Sequence, residues 1–92
     1  MKFDIIIVTN FLNRSIFSSI IKSINKNGYL IYETFSEGQQ NIGKPSNPNY
    51  ILKRRELISL CADLQLIAYE EIYIENSINN SFKQRIFSTN VG

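Results

Sequence analysis

A short run of apolar residues near the start of the chain predicts a buried strand. Residues 3–8 read FDIIIV and carry a single polar side chain, at Asp4, instead of alternating apolar with polar positions. Such near-continuous runs, rich in β-branched residues, are typical of parallel strands that are covered on both faces. We therefore expect residues 3–8 to form an interior strand of a sheet.

The apolar period then changes to that of a helix. Apolar residues recur at helical spacing at Ile16, Phe17, Ile20, Ile21 and Ile24. Asn10 or Asn13 would cap the start of this helix, and Asn27-Gly28 would end it. Residues 29–32 (YLIY) predict a second buried strand. A strand, a helix and a strand form a βαβ unit, whose two strands are parallel.

A long loop separates this unit from the rest of the chain. Residues 36–52 hold both prolines, two glycines and many amides, with no apolar period. Loops of this length in compact domains are commonly functional or disordered. Residues 56–61 return to helical spacing, and we expect Leu57, Ile58 and Cys61 to face the core.

Two further strands complete the predicted order of elements. Residues 64–74 are rich in Ile, Leu and Tyr, but Glu70 and Glu71 require a solvent edge or a bulge there. The turn cluster at residues 76–80 and the apolar positions of residues 82–88 then predict an antiparallel hairpin. The order β-α-β-α-β-β predicts an α/β fold with parallel strands and a final antiparallel strand.

Composition limits the size and the chemistry of the protein. The 92 residues, 43% of them hydrophobic, can build one small core, so we expect residues 1–92 to form a single domain. Histidine is absent, which argues against a hydrolase of the serine-triad kind. The single Cys61 cannot form an internal disulfide, and no Cys/His cluster offers a metal site, so a cytoplasmic setting is expected.

Charge and hydropathy point away from two classes of partner. Ten Lys plus Arg stand against eight Asp plus Glu, and a net charge of +2 predicts no nucleic-acid binding. We expect the basic run at residues 53–55 to be a solvated start of a helix. The apolar run at residues 3–8 is too short to span a membrane, so no membrane partner is expected.

Four stretches, in this order, carry a family resemblance. They are FDIIIV at residues 3–8, NFLNR at 10–14, GYLIYETF at 28–35 and GKPSNP at 43–48. The set resembles the C-terminal half of class I S-adenosylmethionine (SAM) methyltransferases, in particular small bacterial ones of the tellurite-resistance-like kind. The similarity covers nearly the whole chain, as far as residues 84–86. It implies a partial Rossmann-like methyltransferase sheet, with the last strand inserted beside this chain's second strand, which corresponds to the family's fifth.

The resemblance also implies site residues. Asn10 and Phe11 would lie at the carboxyl end of the first strand, where cofactor and substrate meet, and the rule for open α/β sheets points to the same edge. The remaining implied positions end the second strand or lie in a loop over the substrate: Glu33, Thr34, Phe35, Gln39, Gly43, Lys44, Pro45, Asn47 and Pro48. No catalytic base can be named among them.

Four of these residues, and the neighbouring Arg14, also have a structural interpretation. Pro45 and Pro48 would only stiffen the loop by fixing φ, and Gly43 would only supply a positive φ. Asn10 would be a helix cap, and Arg14 a solvated residue of the first helical turn.

The resemblance is incomplete in one important respect. The family places a glycine-rich turn after its first strand and an acidic residue after its second. The strands of this chain correspond to the family's fourth and later strands, so neither feature is expected here. We therefore expect a truncated or partial methyltransferase without turnover of its own. The alternatives are one chain of a split enzyme, completed by an N-terminal-half partner chain, and a non-enzymatic oligomerisation or binding module. An unpaired edge at residues 3–8 would favour a homo-oligomer.

Overall fold

A four-stranded sheet organises the protein, in the strand order β1-β2-β4-β3. The computed structural model describes residues 1–76 and 78–92. β1 and β2 are parallel, and β4 lies antiparallel between β2 and β3. The predicted α/β fold with a final antiparallel strand beside the second strand is therefore confirmed. The strands are β1 (Phe3–Thr9), β2 (Ile24–Phe35), β3 (Gln65–Ile74) and β4 (Ser81–Thr89).

Two short helices pack against one face of the sheet, which we call the closed face. α1 spans Phe17–Lys22 after a 3-10 turn at Arg14–Ile16, and α2 spans Glu56–Leu60. The core between the helices and the sheet consists of Leu12, Phe17, Ile24, Leu30, Tyr32, Leu52, Leu57, Cys61, Leu64 and Ile86. Within the described residues, no helix combines the length and apolar character needed to cross a membrane.

The opposite face of the sheet, which we call the open face, has no such cover among the described residues. Its apolar side chains are Phe3, Ile5 and Ile7 of β1, Tyr29 and Ile31 of β2, and Phe87 of β4. Ile5 and Ile7 are 58% and 63% exposed. The prediction of an interior strand at residues 3–8 is therefore wrong for this chain. β1 is an edge strand, because among the described residues only β2 pairs with it. Ile6 and Val8 pack on the core.

The first helix is shorter than its apolar spacing predicted. α1 ends at Lys22, and Ile24 is the buried first residue of β2. Asn27-Gly28 therefore does not end the helix but lies inside β2, where Asn27 takes a φ of 67° and the pairing with β1 is shifted. Helical spacing included Ile24 because any core-facing position, whether in a helix or in a strand, favours an apolar side chain.

Of the two candidate caps for the same helical region, Asn13 is the one that caps it. The side chain of Asn13 accepts a hydrogen bond from the backbone N–H of Ser15 at 3.1 Å. Asn10 is not the cap, since it follows β1 directly with a φ of 54°. The cap and the turn after β1 are thus made by two different asparagines.

The second half of the chain follows the prediction with one exception. Leu57 and Cys61 are buried as expected, whereas Ile58 is 39% exposed, so the inward position predicted for Ile58 is wrong. Burial raises the pKa of the Cys61 thiol to about 12, which is the behaviour of a packing residue. The Glu70 and Glu71 region lies on an edge strand with a bulge near its start, as predicted. The predicted turn at residues 76–80 includes Ser77, which lies outside the described residues.

Candidate functional site

The carboxyl ends of β1 and β2 lie side by side at one edge of the sheet. Thr9 pairs with Glu33 in the parallel register, and the backbone N–H of Asn10 donates to the Glu33 carbonyl at 2.8 Å. In open α/β sheets, ligands bind beyond the carboxyl ends of parallel strands. The turn that begins at Asn10 and the end of β2 at Phe35 therefore form the edge at which a ligand is expected.

A cavity of about 340 Å³ opens at this edge. It brings together five of the residues that the sequence analysis singled out. They are Asn10, Phe11, Thr34, Phe35 and Pro45. Leu12 and Tyr50 also line it and were not predicted. Distant segments meet here, because the loop after β2 returns to the end of β1 through Pro45 and Tyr50.

The turn after β1 is fixed from the core side. The Tyr32 hydroxyl, on the closed face of β2, donates a hydrogen bond to the Phe11 carbonyl at 2.5 Å. The Tyr32 ring is fully buried and lies 5.0 Å from the Phe17 ring between centroids. Burial raises the pKa of Tyr32 to about 12, so its hydroxyl stays a hydrogen-bond donor. The Phe11 backbone is thus held in place, while its side chain is exposed at the edge.

Lys83 is a site residue that the sequence analysis missed. It pairs with Phe35 across β2 and β4, and its amine lies 4.3 Å from the centroid of the Phe35 ring. The same amine donates to the Asn10 side-chain oxygen. Although charged, Lys83 is only 8% exposed, and this burial lowers the pKa of its amine. The sequence places Lys83 in the last strand, but only the pairing register shows that it reaches the turn after β1.

A second cavity of about 560 Å³ adjoins the first one and shares Phe35 with it. Lys83 lines this second cavity together with Gln39, Ile42, Gly43 and Lys44 of the loop after β2. Four of the implied substrate-side residues, Phe35, Gln39, Gly43 and Lys44, therefore surround one space. The loop after β2 forms a wall of this cavity.

Gln39 holds this loop in place. Its side-chain amide donates to the Lys44 carbonyl at 2.9 Å, and its side-chain oxygen accepts from the Phe82 backbone N–H at 2.9 Å. Gln39 is also buried. A nearby glycine, Gly38, takes the positive φ of 111° that the structural interpretation assigned to Gly43. That interpretation of Gly43 is wrong, because Gly43 is not among the residues with positive φ.

Asn47 and Pro48 lie outside both cavities. The Asn47 side chain accepts from the backbone N–H of Asn49 at 2.9 Å and caps a 3-10 turn at Pro48–Tyr50. Pro48 occupies the first position of that turn, where a missing N–H is tolerated. The geometry gives these two residues a structural role in the loop.

Arg14 anchors the same loop to both helices. Its guanidinium donates to the Ile51 carbonyl and to a Glu56 carboxylate oxygen, each at 2.8 Å. The interpretation of Arg14 as a solvated residue is therefore wrong. The basic run at residues 53–55 is exposed before α2, as predicted.

Glu33 forms an ion pair with Arg85 on the open face. Its carboxylate accepts from Arg85, which also donates to Glu70 at 3.0 Å. The acidic residue nearest the edge thus has a cationic partner of its own. Among the described residues, no group of three or more His, Cys, Asp or Glu side chains gathers to hold a metal ion.

Comparison with known proteins gives matches in structure but not in sequence. No protein-family model matches the chain, and no curated protein matches it significantly. TehB from Haemophilus influenzae superposes with a TM-score of 0.74 at 17% sequence identity, over 97% of this chain and 36% of TehB. A SAM-dependent methyltransferase from Methanosarcina mazei superposes with a TM-score of 0.70 at 14% identity, over 98% of this chain and 60% of that enzyme.

These similarities bear on the fold alone, since both identities are low. The chain spans about a third of the length of one neighbour and three fifths of the other. Within that span, nearly every residue of the chain follows the neighbours' path. The chain therefore has the partial Rossmann-like fold of SAM-dependent methyltransferases, as the family resemblance implied.

Proposed function

We propose that residues 1–92 are one domain that acts as the C-terminal, substrate-side half of a class I SAM-dependent methyltransferase. The observation that carries this proposal is the convergence of Asn10, Phe11, Thr34, Phe35 and Pro45 on one cavity at the carboxyl edge of a methyltransferase-like sheet. The greater length of the two structural neighbours supports the idea that such a half needs a complement.

The residues at this edge fit only one side of the cofactor. The exposed Phe11 ring offers an apolar surface for SAM, and Asn10 adds a polar side chain that already binds Lys83. A carboxylate for the ribose hydroxyls is not available at this edge in the described chain, because Glu33 pairs with Arg85. We therefore assign no reaction step with SAM to this chain and expect no turnover from it alone.

In this proposal the chain positions the methyl acceptor relative to the cofactor. Methyl transfer depends largely on holding the acceptor atom against the cofactor in a productive geometry. The loop wall at Gln39, Gly43 and Lys44 would confine the acceptor, and Phe35 would separate it from the cofactor side. Glu33, Thr34 and Pro45 complete the proposed edge of this pocket, whereas Asn47 and Pro48 would shape the loop from outside.

A partner is part of the proposal. β1 is an edge strand whose outer side pairs with no other strand in the described chain, and apolar side chains continue from it across the open face. Such edges favour pairing with another chain. We propose a homo-oligomer formed through β1, or a split enzyme in which an N-terminal-half chain occupies the same edge. The buried, unpaired thiol of Cys61 supports a cytoplasmic setting.

A non-enzymatic oligomerisation module is the second candidate, and the same open face favours it. In that case the edge and the open face would mediate association, while the cavity at Asn10 and Phe11 would bind no cofactor. The two candidates differ in whether the carboxyl edge responds to SAM-like ligands.

Amide-resolved NMR titration of the 15N-labelled chain with S-adenosylhomocysteine tests the proposal. We expect shifts at millimolar ligand confined to residues 10–12 and 33–35, and we expect Phe11→Ala to reduce them. Ile58→Ala, an exposed change on α2, is the matched control and should leave the shifts unchanged. Absence of shifts at this edge, or equal shifts in Phe11→Ala, would contradict the methyltransferase proposal and leave the oligomerisation module.

A further inference from the structure

We propose that Lys83 anchors a binding site for a small organic molecule bearing a carboxylate, in the cavity of about 560 Å³ beside the loop after β2. We further propose that this molecule is the methyl acceptor, and that assignment rests on the proposed function. Its binding to the cavity does not, because it requires no cofactor.

The environment of Lys83 is the first observation. Lys83 is only 8% exposed as a residue, and its partly buried amine makes one hydrogen bond, to the neutral side chain of Asn10. None of the ion pairs found in the described chain includes Lys83. An amine has three donors, and burying a cation is costly unless it is paired. Lys83 therefore has spare donors, which an anion in the adjacent cavity would satisfy.

The cavity lining is the second observation. Lys44 adds a second cation from the loop, and the lining residues in the described chain include neither Asp nor Glu. A hydrogen bond from an ammonium group to an anion is stronger than one between two neutral groups. The electrostatics of the cavity therefore favour an anion over a neutral or cationic ligand.

The size and apolar surfaces of the cavity indicate the rest of the molecule. Phe35 and Ile42 line it beside the polar groups. Pockets for small organic ligands typically enclose about 300–1,000 Å³, and this one is far larger than an inorganic ion needs. An aromatic or aliphatic body next to a carboxylate matches this combination, whereas inorganic phosphate matches only the charge.

The position of the cavity connects the anchor to the carboxyl edge. Phe35 lines both cavities, and the Lys83 amine reaches from β4 to Asn10 at the end of β1. A molecule held by its carboxylate at Lys83 would therefore lie beside Phe35, where the two cavities meet.

Titration with sodium benzoate, in the absence of SAM, tests this site. We expect saturable binding, seen as shifts of the Lys83 side-chain methylene signals in 13C NMR. Lys83→Met should weaken it at least about tenfold, as expected for the loss of a charge-assisted hydrogen bond. Lys44→Met should weaken it by less than about fivefold, because Lys44 is exposed. Lys22→Met, a change at an exposed lysine on α1, is the control and should have no effect.

Two reference ligands sharpen the result. Benzamide has the same shape without the charge and should bind much more weakly, and inorganic phosphate should also bind more weakly than benzoate. Equal binding of benzamide or phosphate, unchanged affinity in Lys83→Met, or no benzoate binding by the wild-type chain would overturn the proposal. If Lys83→Met does not fold, as judged by circular dichroism, the wild-type Lys83 signals decide: benzoate must shift them and benzamide must not.

The outcome is separable from that of the proposed function. Benzoate binding without a response to S-adenosylhomocysteine would retain the anion site and reject the methyltransferase half. The reverse result would retain the half-enzyme and reject a carboxylate-bearing acceptor.

Discussion

The two faces of the sheet differ although their strands are shared. On the closed face, Leu30 and Tyr32 of β2 are fully buried beneath the helices. On the open face, their neighbours Tyr29 and Ile31 are about 40% exposed, and Ile5 and Ile7 of β1 are exposed further. Side chains alternate between faces along a strand, so apolar residues on both sides predict a cover on both sides. The helices of the chain cover the closed face, whereas the open face leaves apolar side chains exposed.

The difference separates the residues that we expect to affect folding from those that we expect to affect association or binding. The closed face contains the core and the Arg14–Glu56 ion pair that joins the two helical regions. The open face contains the ion pairs of Arg85 with Glu33 and Glu70, and the buried Lys83 beside them forms no ion pair among the described residues. Large apolar patches on a surface commonly mark interaction sites. Changes on the closed face should therefore affect folding, while those on the open face should affect association or binding.

Adjacent residues of β2 give the largest expected contrast. Leu30→Ala should lower the free energy of unfolding by about 2–5 kcal/mol, because it leaves a cavity in the core. Ile31→Ala, on the open face, should cost about 1 kcal/mol or less. Urea unfolding followed by circular dichroism measures both values. Equal costs would show that the open face is as well covered as the closed one.

The loop after β2 offers a second contrast, between its two glycines. An added Cβ at Gly38 would lie 2.9 Å from the Phe82 ring, in a backbone with φ of 111°. Gly38→Ala should therefore destabilise the fold by about 1–3 kcal/mol. At Gly43 an added Cβ would meet only the Gln39 amide at 3.9 Å, so Gly43→Ala should have little effect on stability. Thermal unfolding of the two variants checks this, and a cost at Gly43 equal to that at Gly38 would argue against the anchored loop.

The ion pairs of the two faces give a smaller contrast that depends on pH. Its hydrogen bond with Arg14 lowers the pKa of Glu56. The pair thus adds stability that is present above the usual pKa of a glutamate and is lost as the pH falls through the lowered pKa. At neutral pH, Glu56→Gln should cost about 1–2 kcal/mol, because Arg14 is only partly buried.

The matched control is Glu70→Gln on the open face. Glu70 and its partner Arg85 are both well exposed, and such a pair typically contributes less than about 1 kcal/mol. Unfolding curves from neutral to acidic pH should show the wild-type advantage over Glu56→Gln shrinking in acid. A constant advantage across this range would contradict the role given to the ion pair.

A substitution in β1 should have the smallest effect on stability but a clear effect on the mass of the proposed oligomer. Ile7→Lys places a charge on the exposed edge and open face, so it should change the free energy of unfolding by about 0.5 kcal/mol or less. The same charge should convert a proposed oligomer to monomer in light scattering, because charged side chains block edge pairing. Lys2→Met is a control that should keep the oligomer. A wild-type chain that is already monomeric at micromolar concentration would contradict the proposal.

Much of the fold could be predicted from the sequence because its strands carry strong local patterns. The β1, β2, β3 and β4 regions, the long loop and the burial of Cys61 all follow from apolar runs and turn residues. Two of the errors, at Ile24 and Ile58, have a common cause. Ile24 and Ile58 fit a helical stripe, but whether a residue belongs to a helix or faces the core depends on what packs beside it.

The candidate site divides in the same way. The positions of Asn10, Phe11 and Phe35 at one edge could be predicted, because parallel strands end at the same side of a sheet. The role of Lys83 could not, since it depends on the pairing of β4 with β2, more than forty residues apart in the chain. The assignment of Gln39 as a fixed support also needed its bonds to Lys44 and Phe82.

The sequence alone determined the α/β class, the order of elements and the edge at which a ligand is expected, because these depend on local period and on general rules of sheet geometry. Only the tertiary structure decided that both helices cover one face and that a buried lysine meets the turn after β1. These features arise from contacts between residues far apart in the chain, which no local pattern encodes.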